Sequence, residues 1–161
     1  MGLIEHITDP RELRGWYGDI PIENQYTVGP ATERFLREIK DHGRFVGTRC
    51  TQCNLLYLPP RLYCERCFSE LTDWQQVPNR GHIHSFTVVH IDMEGKPLAE
   101  PQILVVVHMD GTHGGLIHRL AKVRPEGVQI GMTVEALFKE KRRREGSILD
   151  IEYFRPPDAS L

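Results

Sequence analysis

Cys50-Thr51-Gln52-Cys53 and Cys64-Glu65-Arg66-Cys67, ten residues apart, hold all four cysteines of the chain. A CxxC turn aims two thiolates at one point, and two such turns close a tetrahedral shell. An all-sulfur donor set favours Zn²⁺, with iron as competitor, over the hard cations. With every corner filled by sulfur, no position stays open for water or substrate, so the expected metal holds structure and does no chemistry. Two disulfides are the alternative. The opening Met1-Gly2-Leu3-Ile4-Glu5-His6 lacks a basic region followed by an apolar run. In a cytosolic chain the pattern reads as metal-binding rather than cross-linked. Four-thiolate iron sites usually carry a glycine just after each CxxC, where the backbone turns left-handed. Here Asn54 tolerates that turn and Phe68 does not readily, which favours zinc.

Working outward, the 161 residues suffice for one ordinary domain or two very small ones. A formal charge of −2 favours neither a polyanion nor an acidic partner. No run approaches the roughly 20 apolar residues of a membrane span, so the chain reads as soluble and cytoplasmic. The 11 prolines and 14 glycines imply many turns and few long helices.

Residues 1–43 read as an N-terminal helical extension. Asp9 caps a short helical turn at Pro10–Arg14, and aromatics follow at Trp16, Tyr17 and Tyr26. A helix over Ala31–His42 places Phe35, Leu36 and Ile39 on one face and stops at Gly43. Residues 44–73 form the zinc ribbon: a strand at Arg44–Arg49 leads into the first knuckle, Leu55–Leu58 leaves it, and Pro59-Pro60 breaks the ladder. So small a unit cannot fold on an apolar core alone, so metal binding must supply much of its folding energy. Arg49, Arg61 and Arg66 are placed to offset the thiolate charge. Residues 74–161 take the period of strands, at Gly81–Ile91, Gln102–Met109, Gly115–Ala121, Thr133–Lys139 and Ser147–Phe154. Five strands with short connections suggest a small closed barrel of OB type, making the protein mainly β.

Cys50-x-x-Cys53, Pro59-Pro60-Arg61 before Cys64-x-x-Cys67, the Gly81–Val89 strand with its Ser85-Phe86-Thr87, and the closing Phe154-x-Pro156 carry a resemblance. Together they resemble the zinc-ribbon/OB-fold family of acyl-CoA-associated proteins, over nearly the whole chain. The resemblance implies an N-terminal helical extension, a rubredoxin-like zinc ribbon and a C-terminal OB domain. It also implies a small subunit that works with a thiolase-like or hydratase-like enzyme on coenzyme A thioesters. Family settings include isoprenoid precursor synthesis and the breakdown of steroid side chains and aromatic compounds. The sequence departs from the family at Leu116-Ile117-His118-Arg119-Leu120, bulkier than a small, Gly-rich third strand.

No residue pattern speaks for catalysis by this chain alone. The metal claims every thiol, and the eight histidines lie in no HExxH or nucleophile-elbow context. His82 and His84 share a strand face but lack a third ligand, and His108 and His118 read as ordinary strand residues. Lys139, Lys141, Arg142, Arg143 and Arg144 form a basic cluster between the last two strands. A solvated turn, contact with coenzyme A phosphates and a nucleic-acid groove are the three readings, in that order. The expectation is therefore a non-catalytic or co-catalytic subunit of a thiolase-type acyl-CoA C-acyltransferase complex, acting in breakdown of an aromatic or steroid compound. The partner would supply the nucleophilic cysteine and the general base, and the acyl-CoA would be shared between the two chains. Trp16, Tyr17, Tyr57 and Tyr63 are the candidate interface aromatics. A single-stranded nucleic-acid module and an iron electron carrier are the rival classes.

Overall fold

The computed structural model describes residues 8, 9, 11 and 27–157. The expected turn at Pro10–Arg14 and the aromatics Trp16, Tyr17 and Tyr26 lie outside the described residues. Helix α1 (Pro30–His42) starts on a proline, whose missing N–H costs nothing in the first turn. It ends at Gly43, whose φ of 64° lets its N–H reach the Ile39 carbonyl. Ala31, Phe35 and Ile39, spaced by four, form the buried stripe, while Glu33 and Arg37 pair on the solvent side.

Two sheets follow. In the first, β1 (Phe45–Cys50) lies between β2 (Leu55–Tyr57) and β3 (Asp73–Val77), all antiparallel. β3 straddles the expected boundary at 73/74, and its partner is β1 throughout, from Arg49 opposite Asp73 to Phe45 opposite Val77. The second sheet is a closed barrel of β4 (Arg80–Ile91), β5 (Pro97–Met109), β6 (Leu116–Leu120), β7 (Thr133–Phe138) and β8 (Ile151–Arg155), in the order β4-β5-β6-β8-β7. β7 returns to β4 and closes the ring. β6 and β8 run parallel and pair at one position, Leu120 with Phe154. The mainly-β architecture with a five-stranded OB-type barrel is therefore as the sequence predicts.

The last strand begins later than the expected Ser147. Ile148–Asp150 forms a single 3₁₀ turn instead, because Asp150 folds back on the chain before it. Its buried carboxylate accepts the N–H groups of Gly146 (2.7 Å), Glu145 (2.9 Å) and Ser147 (3.2 Å). Burial by itself raises the Asp150 pKa, but those backbone donors outweigh it and hold the carboxyl below its usual value.

One apolar core runs from α1 (Phe35, Ile39) through the base of the first sheet (Phe45, Val46, Leu58, Val77) into the barrel interior (Val105, Val107, Val134, Phe154). The knuckle end of the ribbon has only its own small cluster of Cys50, Tyr57, Cys64 and Leu71. The β5–β6 turn ties the two modules together. The His113 N–H donates to the Leu56 carbonyl at 2.6 Å, and the Leu58 N–H donates to the His113 carbonyl at 3.0 Å. At the next residue the approach is closest: a Cβ on Gly114 would lie 2.4 Å from the Leu58 carbonyl oxygen, and its φ is +112°.

Candidate metal centre and barrel surface

β1 delivers Cys50 at its last residue, and the chain reverses through Thr51–Asn54 to enter β2. The second knuckle opens after a bridge between Tyr63 and Glu70. Asn54 and Phe68, one residue past each CxxC, both turn left-handed, with φ of 53° and 58°. This corrects the expectation that Phe68 would avoid that conformation. The turn gives the Phe68 N–H its bond to the Cys64 carbonyl at 3.0 Å, and the ring stays 79% exposed, clear of its own backbone. The two knuckles thus have matching backbones, and Phe68 no longer discriminates zinc from iron.

All four Sγ atoms lie within 4.8 Å of one another. Cys50 Sγ and Cys67 Sγ are 3.5 Å apart, and all four cysteines are free of disulfides. Four sulfurs about 2.3 Å from a common centre would be about 3.8 Å apart, so the site fits a tetrahedral ion. Donors point at the sulfurs from outside the shell. The Cys53 N–H approaches Cys50 Sγ at 3.3 Å, the Arg66 N–H approaches Cys64 Sγ at 3.4 Å, and Ser69 Oγ lies 3.1 Å from Cys67 Sγ. Tyr57 Oη lies 3.2 Å from Cys64 Sγ. That hydroxyl is the main reason the Cys64 thiol is lowered to about 6, against the effect of burial. Cys53, with the Cys67 sulfur beside it and little solvent, is pushed up to about 12. Such donors stabilise negative sulfur and orient it.

The arginines frame this shell without touching its sulfurs by side chain. Arg61 pairs with Glu65 and lies over the Tyr57 ring, and Arg49 binds Gln75 and Asn54. The outer carboxylate also reaches the barrel, where His113 Nε2 is 2.8 Å from Glu65 Oε1. Arg61 first, and His113 second, hold the Glu65 carboxyl below its usual range.

The candidate interface residues separate. Tyr57 is fully buried, so its place among exposed aromatics is corrected: its hydroxyl serves Cys64 and its ring packs edge-on against His113. Tyr63 is exposed and has exposed apolar neighbours in Leu62 and Phe68 on the second knuckle. Phe68 was legible as a candidate only by analogy with Tyr63, since both flank the same CxxC.

The basic cluster also divides. Arg144 turns inward, with Nε donating to the Lys139 carbonyl at 2.6 Å and its guanidinium near the C-terminal carbonyls of α1. It caps a helix, which corrects its assignment to a ligand-facing set. Arg142 pairs with Glu140 at 2.8 Å. Lys139, Lys141 and Arg143 have no ion pair among the described residues, and Lys139 and Arg143 line a surface cavity. His82 bonds Asp110 at 3.0 Å while His84 stacks on His108 with centroids 4.2 Å apart. The strand spacing of His82 and His84 therefore does not converge on a metal. Among the described residues the four cysteines form the one metal-competent group, and no helix is long and apolar enough to cross a membrane.

A four-cysteine ribbon joined to an OB-type barrel defines a class of two-module metal-binding proteins. Comparison with known families makes this specific. Residues 37–73 match the ChsH2 rubredoxin-like zinc ribbon domain and residues 74–139 match the ChsH2 C-terminal OB-fold domain. The chain belongs to this family. A DUF35 domain-containing scaffold protein of Methanocaldococcus jannaschii is 26% identical over 76% of this chain and 89% of its own. One from Pyrococcus furiosus is 29% identical over 76% of this chain and 90% of its own. Among solved structures, a DUF35-family protein of unknown function from Sulfolobus solfataricus superposes with a TM-score of 0.59 at 27% identity, over 68% of this chain and 78% of that one. The structure described as the Ltp2-ChsH2(DUF35) aldolase gives a TM-score of 0.60 at 23% identity, over 82% and 98%, a likeness of fold.

Proposed function

We propose that this protein is an accessory subunit that docks on a thiolase-type catalytic chain through its second knuckle and helps hold a coenzyme A thioester there. The observation that carries the reading is the coordinatively closed sulfur site flanked by exposed Leu62, Tyr63 and Phe68. A rigid clip that shows apolar side chains to solvent offers surface rather than chemistry, and aromatics are the usual anchors of such surfaces. The scaffold names of its relatives, and the complex in which one solved neighbour was found, support an assembly role. In this reading the partner supplies the nucleophile and the base. Lys139, Lys141 and Arg143 are the cations left for the coenzyme phosphates.

The test is co-expression with a thiolase-like chain from the same genome. Wild type should co-elute with it, and Tyr63→Glu with Phe68→Glu should abolish co-elution while bound metal stays stoichiometric. A wild-type protein that elutes alone and turns over an acyl-CoA unaided would overturn the proposal.

A further inference from the structure

The barrel is least complete at the seam between β6 and β8, which pair only through Leu120 and Phe154. Beside that single pair a cavity of about 490 Å³ lies between the two strands, lined by residues of both. Part of the missing ladder is replaced by a side chain, as Arg119 Nη2 donates to the Glu152 carbonyl at 3.2 Å across the gap.

His118 is the unusual group here. Along β6, Leu116 and Leu120 are buried and Ile117 and Arg119 are exposed, so the alternation turns His118 inward, opposite buried Val105. Its ring lies 6.1 Å from that of Phe154. Neither ring nitrogen is exposed, and neither meets a partner in full hydrogen-bond geometry, although backbone groups of Arg119 and Ile148 lie near enough to favour its protonated form. A polar ring sheltered from water with only such marginal contacts has hydrogen-bonding capacity left for a ligand. Burial is the main cause lowering the imidazole's pKa, so at neutral pH it is an uncharged ring with one donor and one acceptor.

The surroundings supply a complementary set. The charges of Arg119 and, next, Lys139 oppose protonation of His118, and neither Lys139 nor Arg143 has an ion-pair partner among the described residues. Leu104 lines the wall, and the mouth carries two apolar side chains left on the surface, Ile117 (70% exposed) and Leu149 (63% exposed). An apolar pocket with a few convergent polar groups is the usual form of a small-molecule site. Glu152 on the same lining disfavours a multiply charged head.

We propose that this seam binds a small carboxylic acid with an apolar chain. The carboxylate would lie between Lys139, Arg143 and the His118 ring, and the chain would lie against Leu104, Ile117 and Leu149. The site uses Lys139 and Arg143, two of the cations assigned above to the coenzyme phosphates, so the acid and the coenzyme would compete for them. Its test requires neither coenzyme A nor a partner chain.

Octanoate is the probe, and the histidine ring resonances of the full chain are the readout, with His118 assigned by its loss in His118→Gln. The His118 resonances should shift saturably, with half-saturation below about 1 mM. Inorganic phosphate at equal concentration should leave them in place. Leu149→Glu, an exposed position that should not disturb folding, should weaken the octanoate response at least tenfold. No saturable shift, an equal shift with phosphate, or undiminished binding in Leu149→Glu would each overturn the proposal. None of these arms involves a partner chain or coenzyme A, so they fail independently of the accessory role.

Discussion

The knuckle end of the ribbon and the barrel reach order by different means. Around Cys50, Tyr57, Cys64 and Leu71 there is a cluster too small to fold a chain segment, and its largest ring spends its hydroxyl on a sulfur. The barrel, by contrast, is filled by Ile83, Val105, Val107, Val134 and Phe154 and sealed below by Phe35, Ile39 and Phe45 from outside the ring. Phe138 continues that seal, meeting Phe45 edge-on at 5.0 Å. The contrast teaches that one end depends on coordination chemistry and the other on burial, although a single chain makes both.

The sharpest way to break the comparison is to remove the metal. Cys64→Ser, or a strong chelator, should abolish metal binding, a loss on the scale of about 10–16 kcal/mol of apparent binding free energy for structural zinc. Hydrogen exchange should then accelerate through residues 48–71 while Val105 and Val107 stay protected. Equal loss of protection in the barrel would show that the two ends are not independently ordered.

The converse change is Phe154→Ala, which empties the barrel at the residue that also closes the β6–β8 seam. It should cost about 3–5 kcal/mol in urea denaturation and leave bound metal unchanged. Loss of metal in the folded variant would contradict the division.

The smallest effect sharpens the barrel side alone. Asp150→Asn should cost about 1.5–3 kcal/mol, because three backbone donors lose a charged acceptor. The folded carboxyl has a depressed pKa, so its contribution is fully present above the unfolded value near about 3.9 and fades as pH falls through the lower folded one. The gap in urea midpoint between wild type and variant should therefore narrow on acidification in that window. A gap independent of pH would rule out the charged acceptor as its source.

The metal shell, α1 and the barrel strands were legible because each has a strong local signature: paired cysteines, a four-residue apolar stripe ending in glycine, and runs of β-branched residues. The positions read differently from sequence are those where tertiary contacts decide. β2 is three residues long, too short for alternation to tell whether Tyr57 faces in or out. Phe68 adopts a conformation its side chain disfavours because the knuckle requires that backbone turn. Arg144 belongs to a run of cations but answers to the carbonyls of a helix about a hundred residues earlier in the chain. His118 lies in a strand where Leu116, Ile117 and Leu120 are all apolar, so pattern alone does not reveal which side points inward.

His113 exchanges backbone hydrogen bonds with both sides of the Leu56–Leu58 segment, and Gly114 lies directly against the same chain. A splice of this kind leaves no swivel between the two halves at that point. Whatever molecule grasps the cysteine-bearing tip therefore also sets the compass bearing of the barrel's mouth, so the recognition of one body aims the other.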